Sequence, residues 1–388
     1  MKNTGYEKKI GFTLIESLTP PPLRVKRIDK TTIKAETNDS FFRRAWFDKL
    51  RTPAIHSNEK YLFTDIVKNI HNVRRDQHIC LTYGLRSFSF GNWVTNEDRI
   101  NFLAAANIAL YDLAKVVRTD NLGKKLLIID WGGAGRRGAK GIYFTNRNFI
   151  TLRRFDRPDK MNINVGTNKY FFENGVPYLK PEVKAGLLAR SGMGSFAHEY
   201  GHFIDNYLAQ KLGKGRPAPL FITGRNVLPT NTKLELTERD IIALLIGSEN
   251  TAFVSYFDLP PVYQAFFDWL TKIYFTRTVK QGVARYKANG QYIRLIKTVK
   301  ETEGNFKYWG SIVELWARSF EVYISEALSK KGVKNRFLVA DSKKFGKELR
   351  IIDGQPITIN NAGVYPTGAH VWQNKIVFEK ILTIFANN

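Results

Sequence analysis

Two histidines four residues apart, with a glutamate directly after the first, set the strongest limit on how this chain folds: His198-Glu199-Tyr200-Gly201-His202. Residues i and i+4 stack one turn apart on a helix, so both imidazoles reach a single ion when the segment is helical. Phe196, Ala197, Phe203, Ile204, Tyr207 and Leu208 supply the apolar positions that bury such a helix, read here from about Phe196 to Leu212. Glu199 stands beside the pair, where it takes a proton from the attacking water. A lone histidine on an apolar helix is ordinarily a hydrogen-bonded core residue, but here two of the six histidines in the chain fall in one motif. His198 and His202 are therefore candidate zinc ligands, and Glu199 is the candidate general base.

Zinc needs a third protein ligand and an open position. The single cysteine, Cys80, excludes thiolate-rich sites and internal disulfides, so the search turns to carboxylates. An amphipathic helix from about 311 to 329 offers Glu314 and Glu321, seven residues apart and so on one face. In isolation Glu314 reads as half of an i, i+4 ion pair with Arg318. Its apolar neighbours and small Ala317 point instead to a buried carboxylate that wants a cation. A carboxylate close to the ion but not bound to it looks much the same in sequence, so Glu321 stays open. Asp205, two turns after His198, reads either as an exposed helix residue or as an acceptor orienting an imidazole. Tyr308 reads either as a core aromatic or as a donor to a tetrahedral oxyanion.

The rest of the chain fits a globular protein. It has 388 residues, 43% of them hydrophobic and 13% aromatic, enough to bury a sizeable core. No apolar run approaches the length of a membrane span. A secretory signal is not expected either, because Lys8 and Lys9 are followed by only a few apolar residues before Pro20, Pro21 and Pro22. Residues 1 to about 80 read as an arm or loosely attached subdomain. Sixty Lys and Arg against 35 Asp and Glu give a formal charge of +25, a field that attracts polyanions or acidic partners. Two stretches concentrate it, Arg136 to Lys160 and Trp269 to Lys300, the second with eight cations and no acid. They read as a solvated surface or as a nucleic-acid contact, with no recognised nucleic-acid motif beside them.

Periodicity places a long helix through Ile100, Leu103, Ile108, Leu113 and Val117, ended by Gly123. A strand at Leu126–Ile129 follows, then the run Gly132–Gly138, whose spacing fits neither phosphate-binding fingerprint and reads as a tight turn. Ile142–Phe144 and Phe149–Leu152 read as a hairpin whose second strand could bind an extended peptide by strand addition. Residues 156–186 read as an inserted loop, and helical patterns recur near 237–247 and 261–275. The fold class is α+β, with a small mixed sheet and additional helices.

Several of these segments, in order, resemble the large polyvalent protein-associated domain 1, a zincin-like family of phage and conjugative-plasmid proteins. They are Tyr83 to Trp93, Asp112 to Val117, the region 127 to 152, Gly192 to Asp205, Tyr308 to Tyr323, and Tyr365 to Gly368. The resemblance spans roughly 80 to 385. It implies a zincin-like metallopeptidase domain over 81–388 behind a basic extension over 1–80, with zinc as cofactor and a peptide or protein as substrate. It also implies Glu314 as third ligand, and a site of action in the bacterial host cytoplasm or the virion. The chain departs from the family at Trp131-Gly132-Gly133-Ala134-Gly135-Arg136, where Phe-Gly-Ala-Arg-Gly is usual, and at the insertion 156–186. The alternative is a catalytically silent protein, associated with nucleic acid or carried as virion cargo. The complete His-Glu-His set argues against it, because a binding protein has no use for the base Glu199.

Overall fold

The histidine-bearing segment is a helix from Phe196 to Leu212, with every residue buried except His198, Gln210, Lys211 and Leu212. A helix covered on nearly all sides belongs inside a fold rather than on its surface. The computed structural model that shows this describes residues 51–52, 74–91, 96–131, 141–152, 170–173, 176–179, 194–212, 220–224, 226–246, 255–302, 304–339, 347–352, 355–360 and 362–388. The proline break at 20–22, the run Gly132–Gly138 and residues 153–160 of the first basic stretch lie outside the described residues. The chain divides into units 1–46 and 47–388, and all described residues belong to the second.

Against the histidine helix lies the helix Ile312–Ser329, which carries Glu314 and Glu321. The two come close because glycine meets alanine where they touch. A Cβ on Gly201 would stand 3.2 Å from the Ala317 Cα and 3.2 Å from a Phe320 ring carbon. Trp316 fastens the contact, its indole N–H donating to the Gly201 carbonyl at 2.8 Å. Trp316 is fully buried among Phe266, Trp269, Phe320 and Phe378, at ring separations of 4.9 to 5.9 Å. Phe266 and Trp269 come from the helix Pro261–Tyr274, and Phe378 from the helix Lys375–Asn387. The glutamate helix thus backs onto an aromatic core while its other face meets the histidines.

A four-stranded mixed sheet runs in the order Ser87–Phe90, Ile128–Trp131, Phe149–Leu152, Gly141–Phe144, with the last strand antiparallel to its neighbour. The helix Asn96–Val117 connects the first two strands. Trp131 stacks on Phe88, Phe90 and Phe102 at 5.2 to 5.8 Å, binding helix to sheet. The outermost strand meets the histidine helix: Tyr143 lies edge-on to Phe203 at 6.1 Å, and its hydroxyl is 2.8 Å from side-chain oxygens of Asn148 and Asn206. Ten helices and several small sheets among the described residues make the class α+β, as expected. No helix among them is long and apolar enough to cross a membrane.

A buried ion pair ties the early chain to this body. Strand Arg51–Thr52 pairs with Lys334–Asn335, and the Arg51 guanidinium forks onto Asp112 at 2.9 to 3.2 Å. Asn335 donates to the same carboxylate at 2.9 Å, and its side-chain oxygen accepts from the backbone of Phe337 and Leu338. The carbonyls of Phe337 and Leu338 then accept from Gly194 and Ala197 at 3.0 and 2.9 Å. The second bond satisfies one of the N–H groups that the first turn of the histidine helix leaves open, and the first fixes the chain just before it.

Four details differ from the sequence reading. The long helix ends at Val117, with Arg118 left-handed at φ 63. Gly123 serves another purpose, since a Cβ there would be 2.5 Å from the Gly84 carbonyl. The insertion 156–186 contains a hairpin, Tyr170–Glu173 with Val176–Leu179. Strand Phe149–Leu152 is paired on both sides, so Gly141–Phe144 is the edge that an added peptide would meet. A second hairpin, Phe275–Lys280 with Val283–Ala288, occupies part of the basic stretch.

The helix contact generates a stability prediction. Gly201→Val should lower the unfolding free energy by about 1–3 kcal/mol, the usual effect of overpacking. Gly290→Ala, where a Cβ meets nothing within 4 Å, should leave it unchanged or slightly higher. Urea melts of the two variants distinguish a packing effect from a general intolerance of glycine replacement.

Candidate metal centre

The two helices bring His198, His202 and Glu314 together, one ligand atom from each lying within 4.8 Å of the others. The i, i+4 spacing puts both imidazoles on the face turned toward Ala317, their ring centres 5.0 Å apart and their planes at 85°. Glu314 Oε2 stands 3.4 Å from His198 Nε2, and Oε1 stands 3.5 Å from His202 Nε2. These separations exceed those of good charge-assisted hydrogen bonds. Each is close to the spacing of two ligands on one tetrahedral ion, about 3.4 Å when each is about 2.1 Å from it, with the two contacts made by different oxygens of Glu314. Glu314 Oε2 and the Nδ1 atoms of both histidines are buried with no well-formed hydrogen bond. The group could therefore hold a metal ion.

Electrostatics favour a cation. Glu199, Glu314 and Glu321 crowd two imidazoles where little water enters. Burial would lower the His198 imidazole, but Glu314 and Glu321, aided by Glu199, outweigh it and hold His198 up at about 10. Burial also opposes charge on Glu314, yet the two imidazoles prevail and keep its carboxyl well below the usual range. Glu199 moves the other way: burial, with Glu314 and Glu321, lifts it above the ordinary value despite both histidines. A raised carboxyl is a better base.

Glu199 occupies its place because Gly141 has no side chain. A Cβ there would be 2.8 Å from Glu199 Cγ, 2.9 Å from its Oε1 and 3.0 Å from Ser195 Oγ. The carboxylate thus rests against the first residue of the edge strand, a role for Gly141 that sequence reading did not find.

Asp205 is fully buried, but it makes no hydrogen bond to either imidazole. Its carboxylate accepts from the backbone of Ile222 at 2.7 Å and Thr223 at 3.2 Å, and from the Thr223 hydroxyl. Two turns beyond His198 it meets the backbone N–H groups of the loop at Ile222 and Thr223 rather than a ring. Burial raises its carboxyl to about 6 even so. The clamp acts on the histidines at one remove, since it fixes the loop whose Phe221 ring lies 6.1 Å from His202. The carboxylate that faces an imidazole is Glu321, with Oε2 3.5 Å from His198 Nδ1.

Tyr308 sits on the short helix Phe306–Trp309 that precedes the glutamate helix. As a residue it is 47% exposed. Its hydroxyl end lies in the desolvated site, where burial and then Glu314 push the phenol far above its ordinary range. It remains a neutral donor at any working pH. Arg318, 1% exposed, secures that turn: it donates to the Trp309 carbonyl and lies 5.1 Å from the Trp309 ring centre. It is not paired with Glu314. Tyr365 joins the same group, its phenol raised by burial and then by Glu321. Its presence in the segment Tyr365 to Gly368 was visible in sequence, but no spacing rule tied it to a site.

Residues 300–387 match the family model described as large polyvalent protein-associated domain 1, the family that the motifs resemble. The match takes in Tyr308, Glu314, Glu321 and Tyr365, and the histidine helix lies ahead of it. No curated protein and no solved structure matches the chain.

Two outcomes are expected of metal titrations. Glu314→Ala should weaken divalent-metal affinity far more than Glu321→Ala, whose loss should stay near the ten- to hundredfold of a residue acting through a ligand. A larger loss for Glu321→Ala would make Glu321 the ligand in place of Glu314. The pH dependence has a definite sign. Metal-free His198, held at about 10, carries a proton at neutral pH that an ion must displace. Affinity should therefore climb about tenfold per pH unit from 7 toward 9, with about one proton released, as calorimetry in buffers of different ionisation enthalpy can measure.

Proposed function

We propose that this chain is a zinc-dependent peptidase on a zincin-like fold, acting in a bacterial host cytoplasm or carried in a phage particle. The observation that carries the reading is a division of labour on one helical turn. His198 and His202 converge with Glu314, while Glu199 rests its carboxylate against Gly141 of the edge strand. Two imidazoles and one carboxylate, with no thiolate, are the donor set of zinc sites that keep an open position. When bound, zinc supplies a Lewis acid and lowers the pKa of water.

The chain's own residues supply the other requirements. Gly141–Phe144 has no strand on its outer edge among the described residues, so an extended peptide can pair there by backbone hydrogen bonds. That places its amide bonds beside Glu199. Glu199, with its raised pKa, takes a proton from the attacking water and passes it to the departing amine nitrogen as the C–N bond breaks. The neutral Tyr308 hydroxyl donates to the oxygen on which charge develops. Arg318 holds the turn that carries it. The buried base weighs against a silent descendant, because a carboxylate kept among two others is costly unless it works.

Purified protein should carry about one zinc per chain and cleave members of a peptide library. Glu199→Gln should retain the zinc while cleavage drops at least about a hundredfold, the scale of a lost general base. Wild-type turnover by that variant would place the base elsewhere. Full zinc retention by a His198→Ala/His202→Ala double variant would remove the site itself.

A further inference from the structure

The basic run from Trp269 to Lys300 plays no part in the metal centre, and the fold sorts its cations unequally. Arg294 turns inward, donating to the Tyr365 carbonyl and the Gln291 side chain. Lys297 faces Glu301 on its own helix at 3.7 Å. Lys280, Arg285 and Lys287 have a different fate, because strand pairing collects them. Lys280 lies opposite Val283, Thr278 opposite Arg285, and Thr276 opposite Lys287, while Thr237 and Glu235 flank Arg285 and Lys287 from the third strand.

Paired residues project to the same side of a sheet, and sides alternate along each strand. One face therefore gathers these three cations, Val283, Glu235 and three threonines, of which Thr237 donates to Asp240 at 2.8 Å and Thr278 to the Arg285 carbonyl at 3.5 Å. The opposite face carries Phe275, Tyr286 and Leu236, which are buried, with Phe267 packed on Tyr286 at 5.8 Å. The sheet is thus anchored from behind near Phe275, Tyr286 and Leu236, while Arg277 and Val279 farther along that same face are exposed. Glu235 is taken by Lys287 at 2.8 Å. Lys280 and Arg285 have no ion-pair partner among the described residues.

The shape is as specific as the charge. Strand Phe275–Lys280 is one of the two edge strands, and every residue from Thr276 to Lys280 is exposed. Gln281 and Gly282, at φ 51 and 76, make a two-residue turn whose twist suits the strands it joins. The result is a stiff ribbon about 20 Å long, six residues at about 3.3 Å each. From this arrangement we propose that the Lys280–Arg285 face is a contact surface for the phosphate backbone of duplex nucleic acid.

A duplex offers about one negative charge per 1.7 Å of axis, a dense row of acceptors for the cations of this face. Its major groove also admits a two-stranded ribbon. A membrane surface is the poorer fit, since only two exposed valines, Val279 and Val283, flank the Gln281–Gly282 turn, and no aromatic or long aliphatic side chain of a membrane anchor stands with them. This surface is independent of the peptidase reading.

The test titrates the full chain against a short fluorescent duplex of mixed sequence over a range of salt. Wild-type affinity should fall steeply with salt. Lys280→Ala/Arg285→Ala should bind at least about tenfold more weakly, with the salt slope reduced by about two. Lys330→Ala/Lys331→Ala removes the same charge from an exposed loop after the glutamate helix and should change little. Glu199→Gln should bind the duplex as wild type does, which separates this surface from the metal centre. Equal losses in the two double variants would mean attraction by total charge and overturn the proposal. So would the absence of duplex binding, tighter binding to single strands, or ribbon-dependent binding confined to phosphatidylserine vesicles. Unchanged melting of the Lys280/Arg285 variant confirms that any loss is not unfolding.

Discussion

The close meeting of two helices at Gly201 and Ala317 is the contact on which the rest of this structure depends. Neither residue contributes chemistry. Their smallness lets one helix lie against the other near enough for Glu314 to reach both imidazoles, and the Trp316 indole holds the distance by its bond to the Gly201 carbonyl. The constraint runs outward from there. Trp316 can hold that position because aromatic rings from two further helices enclose it. The start of the histidine helix is held by the loop after the glutamate helix, which accepts from Gly194 just before it and from Ala197 in its first turn. One loop, Asn335–Leu338, thus serves both ligand-bearing elements.

The same closeness creates the electrostatic problem that the centre has to resolve. Three carboxylates within one small space repel each other, and desolvation deepens the penalty. The protein distributes the burden unevenly. Glu314 is held ionised by the imidazoles, His198 is pushed toward its charged form, and burial lifts Glu199 above its ordinary value. A divalent ion would relieve the repulsion in a way that no rearrangement of these side chains can, and it would leave Glu199 free to accept a proton.

Much of this was legible in the sequence where a local period governed it. The histidine helix follows from an i, i+4 pair set in an apolar stripe, and its observed span agrees with the reading. The glutamate helix follows from its amphipathic pattern. What no period could reveal was which residues answer each other across the contact. Asp205 and Glu321 are both acids two turns from a candidate ligand, and only the packing shows that Asp205 holds the loop at Ile222 and Thr223 while Glu321 faces His198. Gly141 carries no signal at all, because its importance lies in an atom it lacks. The hairpin at 275–288 was hidden for a different reason. Its basic residues drew attention as charge, and the alternation that made it a sheet face was visible only once the register was known.

The centre is also divided in time. His202 and Glu314 are 112 residues apart, so a ribosome adding roughly 5–20 residues each second presents the histidine helix about 6 to 22 seconds before the glutamate that completes the ligand set. During that interval the nascent chain holds two imidazoles and a base but no third ligand, and the groove into which Ala317 and Trp316 will fit stands empty. Any hydrolytic capacity must wait until the later part of the chain has been made and has packed against the earlier part. On the proposed peptidase reading, chain order alone would withhold cleavage until both helices have been made and packed together.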